Sequence, residues 1–131
     1  MNAKRMVVMA ALSGLGMWML AGVWHKLVLA RFYTEATGAE HTAPGIILLA
    51  YLVLAALMVW VYLRGPGGRP LPDGLRVGAL VGVLWVFPHE LAMAAAHGEP
   101  LGYVFGNAAW HAVEQGAGGL IIGLVHCRFS R

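Results

Sequence analysis

The chain has 131 residues, enough for one compact unit, and 60% of them are hydrophobic against 11% charged. A soluble domain averages roughly 25% charged residues, and a soluble fold of this size could not cover so much apolar surface, so the composition excludes an ordinary water-soluble domain and points to lipid as the solvent. The formal charge of +3 does not indicate nucleic acid, because the basic residues stand in short clusters between apolar runs and form no stripe.

A membrane-spanning helix needs about 20 largely apolar residues. Four segments meet that requirement, at about 6–30, 44–63, 75–96 and 105–126. They define an all-α fold, a single transmembrane domain built as a four-helix bundle. The first segment follows Lys4 and Arg5, as the apolar core of a signal peptide would. It is too long for one and three more spans follow, so it reads as a retained span. A polar stretch, RFYTEATGAEHTA, then leads to the second segment, which has almost no polar side chain within its span except Tyr51. This segment is expected to show the most surface to lipid. The next connection, RGPGGRPLPDG, is dense in helix-breaking Gly and Pro. The third segment contains Pro88, which removes one helical hydrogen bond and crowds the carbonyl of Leu84, predicting a kink just below His89. A tight turn, HGEPLGY, leads into the fourth segment.

Lys and Arg set the orientation. Lys4, Arg5, Arg64, Arg69, Arg76, Arg128 and Arg131 all fall on one side of the four spans. The other side has Lys26 and Arg31, diluted by Glu35, Glu40 and Glu99. The positive-inside rule then puts both termini in the cytoplasm. Phe32, Tyr33, Trp60, Tyr62, Tyr103 and Phe129 fall near span ends, where interfacial aromatics collect. The single cysteine, Cys127, cannot form an intrachain disulfide.

A shift of 64 residues lays the first segment on the third, matching Gly14 with Gly78, His25 with His89, Leu27 with Leu91 and Ala30 with Ala94. This reads as a weak parallel two-helix repeat with its axis along the membrane normal.

The polar residues inside the spans carry the most information, since ionisable groups in a membrane are costly and usually face the bundle interior. At about 1.5 Å per residue, His25 lies about 8 Å, His89 about 10 Å and His111 about 9 Å from the outer ends of their segments. Three imidazoles from three helices therefore share one level in the outer half of the membrane. Glu114 is one turn deeper on the face of His111. Small residues continue these stripes: Gly14, Trp18, Ala21, Gly22 and His25; Gly78, Gly82, Trp85 and His89; His111, Glu114, Gln115 and Gly118. Gly78-x-x-x-Gly82 and Gly119-x-x-x-Gly123 are patterns through which helices approach closely.

Imidazole and carboxylate ligate zinc, copper or iron, so His25, His89, His111 and Glu114 form a candidate metal shell, with Glu90 and Gln115 behind it. Glu90 lies about 100° from His89 around its helix. His25 and His89 alone would suit axial ligation of a haem. Two other readings remain open: a small structural subunit of a larger membrane complex, and a small proton or solute transporter acting as a homo-oligomer, since four helices alone enclose little volume. Trp18, Trp24, Trp85 and Trp110 either box a ligand or fill the core. No phosphate loop, nucleophile elbow, Cys pair or HExxH pattern is present, and nothing names an enzymatic substrate.

The runs GLGMWMLAGVWHKL, GALVGVLW and GNAAWHAVEQGAGGLIIGL resemble small four-helix bacterial inner-membrane proteins grouped under domains of unknown function. The resemblance implies a four-helix fold and an inner-membrane location. It implies no activity, and no site residue follows from it.

Overall fold

The computed structural model describes residues 2–24, 43–65 and 68–130. They form four helices: α1 (Ala3–Val23), α2 (Pro44–Tyr62), α3 (Pro70–His97) and α4 (Leu101–Phe129). No strand occurs among the described residues, and the fold class is all-α. Three of the helices, α1, α2 and α3, are long and apolar enough to cross a membrane.

The helix ends follow from local chemistry. Asn2 caps α1, its Oδ1 accepting the Lys4 backbone N–H at 3.1 Å. The expected continuation of the first span to Ala30 lies outside the described residues. α3 begins five residues before its predicted start at Leu75. The Gly/Pro-rich connection was expected to run to Gly74, but proline is well suited to the first turn of a helix. The Asp73 carboxylate accepts the Arg69 N–H at 2.9 Å and closes that turn. At the far end Gly98 adopts φ 72° and ends α3, its N–H and that of Glu99 both donating to Ala94. Only Gly98, Glu99 and Pro100 separate α3 from α4, a connection shorter than the predicted turn. α3 is one continuous helix through Pro88. Pro88 and Leu84 are both exposed, so the disturbed turn lies on the outer face of the bundle rather than over its interior.

Two kinds of packing hold the helices. On one side, Met9 and Met17 of α1, Leu54, Ala55, Met58, Val59 and Tyr62 of α2, and Ile122 of α4 form a side-chain core. On the other, α3 and α4 meet through glycine. A Cβ at Gly74, Gly78 or Gly82 would fall on the backbone carbonyls of Gly119, Gln115 or His111 respectively, and a Cβ at Gly123 would fall on that of Pro70. α1 approaches both neighbours: Gly14 lies against the backbone of α2 at Leu52 and Tyr51, and the Ser13 hydroxyl donates to the Gly118 carbonyl at 2.9 Å.

These contacts make successive helices antiparallel. The start of α3 packs on the end of α4, the Tyr62 and His126 rings meet edge-on at 5.4 Å, and the Arg5 guanidinium lies 5.4 Å over the Phe129 ring. Lys4, Arg5, Arg64, Arg69 and Arg128 therefore gather toward one end of the bundle. α2 was expected to be the most lipid-exposed helix, yet α3 buries only Gly74, Gly78, Gly82 and Ala94. Its contact stripe is narrow because glycine presents no width.

The backbone contact predicts an unusual sign for a glycine substitution. Alanine favours a helix over glycine by up to about 1 kcal/mol, so Gly106→Ala, with open space around it, should hold or raise the melting temperature in detergent. Gly78→Ala should lower it, since forcing a methyl against backbone costs about 1–3 kcal/mol. Equal behaviour of the two variants in a thermal melt would contradict the close approach.

Candidate functional site

α4 is the one described helix that is not apolar enough by composition alone to count as a membrane span, and polar residues of its middle are interior. Glu114 is fully buried and Gln115 is 1% exposed; with Ser13 they are the buried polar residues among those described. A buried carboxylate is tolerable only when hydrogen-bonded. Trp110, one turn earlier, donates from Nε1 to Glu114 Oε2 at 2.8 Å. Gln115 donates from Nε2 to Glu114 Oε1 at 3.0 Å. Tyr51 of α2 adds a side-chain hydrogen bond to the same carboxylate. The Trp110 ring is itself held by a parallel stack on Trp24, with centroids 4.0 Å apart and planes within 8°.

A second polar contact lies one to two turns toward the start of α4. Asn107 Nδ2 donates to Glu90 Oε1, joining α4 to α3. His111 stands between the two clusters, half-buried, on the Asn107–His111–Gln115 line of α4. Its Nδ1, Gln115 Oε1 and Glu90 Oε2 are all enclosed, and the His111 and Gln115 side chains pair with each other. His111 and Gln115 border a cleft of about 170 Å³, with Ala50, Tyr51 and Leu54 of α2 and Trp85 of α3 as its walls.

His111 and Glu114 share one face of α4 as the spacing required. His89 is exposed on the outer face of α3 and does not join them. His25 lies outside the described residues. No group of three or more His, Cys, Asp or Glu among the described residues is placed to hold a metal ion. The physical reason for the misplacement of His89 lies in the glycine contact. The face of α3 that meets α4 follows the four-residue ridge Gly74, Gly78, Gly82, Val86, Glu90, so the carboxylate turns inward in place of the imidazole. Glu90, expected only as support, contacts α4 directly.

Asn107 escaped the sequence reading, though it sits one turn before His111 and the spacing alone would have put it on the same face. Tyr51 had been noted only as the single polar residue of its span. Of the four tryptophans considered as a ligand box, Trp24 and Trp110 stack on each other and Trp85 walls the cleft, while Trp18 is half-buried on α1.

No protein-family model, curated protein or solved structure matches this chain.

The carboxylate hub sets a measurable coupling. Trp110→Phe keeps an aromatic ring against Trp24 but leaves Glu114 Oε2 short of a donor, at a cost of about 1–3 kcal/mol. In a double-mutant cycle with Glu114→Leu, the two losses should be non-additive by at least about 0.5 kcal/mol. Strict additivity would mean that the indole–carboxylate bond contributes nothing to stability.

Proposed function

We propose that this chain is a four-pass protein of a bacterial inner membrane, with both termini cytoplasmic, whose fourth helix carries a binding site for a small hydrogen-bonding ligand within the outer half of the bundle. One observation carries the binding reading. His111 and Gln115, polar residues of the bundle interior, border a cleft of about 170 Å³ otherwise walled by Ala50, Tyr51, Leu54 and Trp85, and polar or ionisable side chains at membrane depth commonly line a ligand site.

The four-pass topology rests on three apolar helices and on the course of the fourth. α4 follows α3 antiparallel from the Gly123–Pro70 contact to the Asn107–Glu90 contact, so a bilayer crossed by α3 is crossed by α4 as well. Its lower hydropathy comes from Glu114, Gln115 and a run of glycines that are buried in the bundle and never meet lipid. The cluster of Lys4, Arg5, Arg64, Arg69 and Arg128 toward one end supports a cytoplasmic assignment for that end.

A transition-metal reading keeps one supporting observation. The Trp24–Trp110 stack holds the end of α1 beside the turn of α4 that carries His111 and Glu114, and His25 is the next residue in the chain. Against it, both Glu114 oxygens already accept hydrogen bonds.

Native mass spectrometry and metal analysis of protein extracted from its membrane separate the readings. The expected result is a small non-protein adduct that Gln115→Leu abolishes, without stoichiometric metal. Stoichiometric zinc, copper or iron lost in His111→Ala, or a Soret band, would replace this reading with a metal or haem site. Stable co-purification of a large complex, with no adduct, would replace it with a structural role. Arg69→Cys should be labelled by an impermeant thiol reagent only from the cytoplasmic side; labelling from outside would reverse the orientation.

A further inference from the structure

Resting on the reading of α3 as a membrane span, we propose that its outer face pairs with the same face of a second copy of this chain, the His89 imidazole N–H of each copy donating to the Leu84 carbonyl of the other. Depth is the first argument. From Arg76 to His97 α3 rises about 31 Å, close to the thickness of a bilayer's hydrocarbon core. His89 lies about 12 Å in from the His97 end of that stretch, and there it is exposed on the outward side of the helix. Ionisable side chains at such depth are costly in lipid and almost always face protein or a water-filled cavity. The described helices of one copy leave this imidazole uncovered.

The acceptor lies on the same face. Pro88 has no N–H, so the Leu84 carbonyl loses the donor that a regular helix would bring to it. Leu84 is 62% exposed, and Pro88 is exposed beside it. Acyl chains offer that carbonyl no donor, and a backbone group left unsatisfied in lipid is expensive. One patch therefore carries an imidazole that can donate and a carbonyl that can only accept. Such a patch is complementary to itself, which is the requirement for a twofold pair of identical chains.

Register is the third argument. Two copies inserted the same way run their α3 helices parallel and at equal depth. A helical side chain leans toward the N-terminus and covers the preceding turn, whereas a helical carbonyl points toward the C-terminus. The imidazole of one copy is thereby brought level with the Leu84–Pro88 turn of the other. Beyond His89 on this side, Ala92 and Ala96 are exposed and small, and small residues let membrane helices approach closely.

The test uses the full chain with Cys127→Ser, which removes the one native thiol. Under mild oxidation in native membranes Ala92→Cys should give a disulfide-linked dimer. A disulfide needs Cα atoms within about 7 Å, so Met19→Cys, 65% exposed on α1, should not. In liposomes, energy transfer between labelled copies should show pairing that falls on dilution with lipid. His89→Leu should raise its dissociation constant about tenfold, the effect of losing two equivalent interhelical hydrogen bonds. Pro88→Ala returns a helical N–H to the Leu84 carbonyl. It should weaken pairing in the same way while holding or raising the melting temperature, so that a weaker dimer is not mistaken for a damaged fold. A parent protein monomeric at every dilution, pairing indifferent to both variants, equal cross-linking from Ala92→Cys and Met19→Cys, or linkage of Ala92→Cys only to a different protein would overturn the proposal. Alkali washing of the membranes tests the span separately: a chain that is retained but does not pair defeats the pairing alone, and a chain that is released defeats both.

Discussion

Gly74, Gly78 and Gly82 let the backbone of α3 lie directly on that of α4, with the carbonyls of Gly119, Gln115 and His111 where side chains would otherwise stand. In lipid there is little hydrophobic drive to join helices, since acyl chains are as apolar as leucine; the contact must come from dispersion at close range and from hydrogen bonds. A glycine ridge supplies the first of these. It also fixes rotation. Once the glycine faces of α3 and α4 are locked together, Gln115 has to lie under Gly82, and Glu114, one residue along, is turned to Trp110 and Tyr51.

The carboxylate hub then does for α1 and α2 what the glycine ridge does for α3. Glu114 takes a hydrogen bond from its own helix through Trp110 and another from α2 through Tyr51, and Trp110 stacks on the last turn of α1. In a medium of low dielectric such bonds strengthen one another, and loss of one donor is costly because water cannot replace it. The remaining contacts are adaptable. Met9, Met17 and Met58 fill the space between α1, α2 and α4, and Met17 closes on Gly118 beside the Ser13–Gly118 bond. Specific polar and glycine contacts set the arrangement, and flexible side chains complete it.

This division explains what the sequence made legible. The four helices were readable from hydropathy, since lipid demands long apolar runs, and the error at α3 came from treating Pro70 and Pro72 as breakers when proline also begins helices. The burial of His111 and Glu114 on one face was readable from their spacing. The inward turn of Glu90 was not. On an ideal straight helix His89 lies under Gly78, and only the direction in which two helices cross decides whether the contact proceeds by three residues or by four. That direction is set by the partner, here by Gln115, Gly119 and Gly123, and no property of α3 alone contains it. Gly14 and Gly78 do both press against the following helix, at Leu52 and at Gln115; His25, the residue matched with His89, lies outside the described residues.

The distribution of polar atoms along α4 bears on whether the bundle holds a continuous polar path. Asn107, His111, Glu114 and Gln115 form one group in the first half of α4. The next polar pair, His126 and Tyr62, is at the opposite end, with His126 Nδ1 and Tyr62 Oη without partners among the described residues. Eleven residues, about 16 Å of helix, separate Gln115 from His126. That stretch is the glycine-packed part, where Gly116, Gly118, Gly119 and Gly123 are buried against α1 and α3 and the Ser13 hydroxyl is committed to a backbone carbonyl. A file of exchangeable side chains through the bundle would have to interrupt the very contact that holds α3 to α4. Among the described residues, the polar groups at the two ends of α4 are therefore separated by a close-packed stretch of helix.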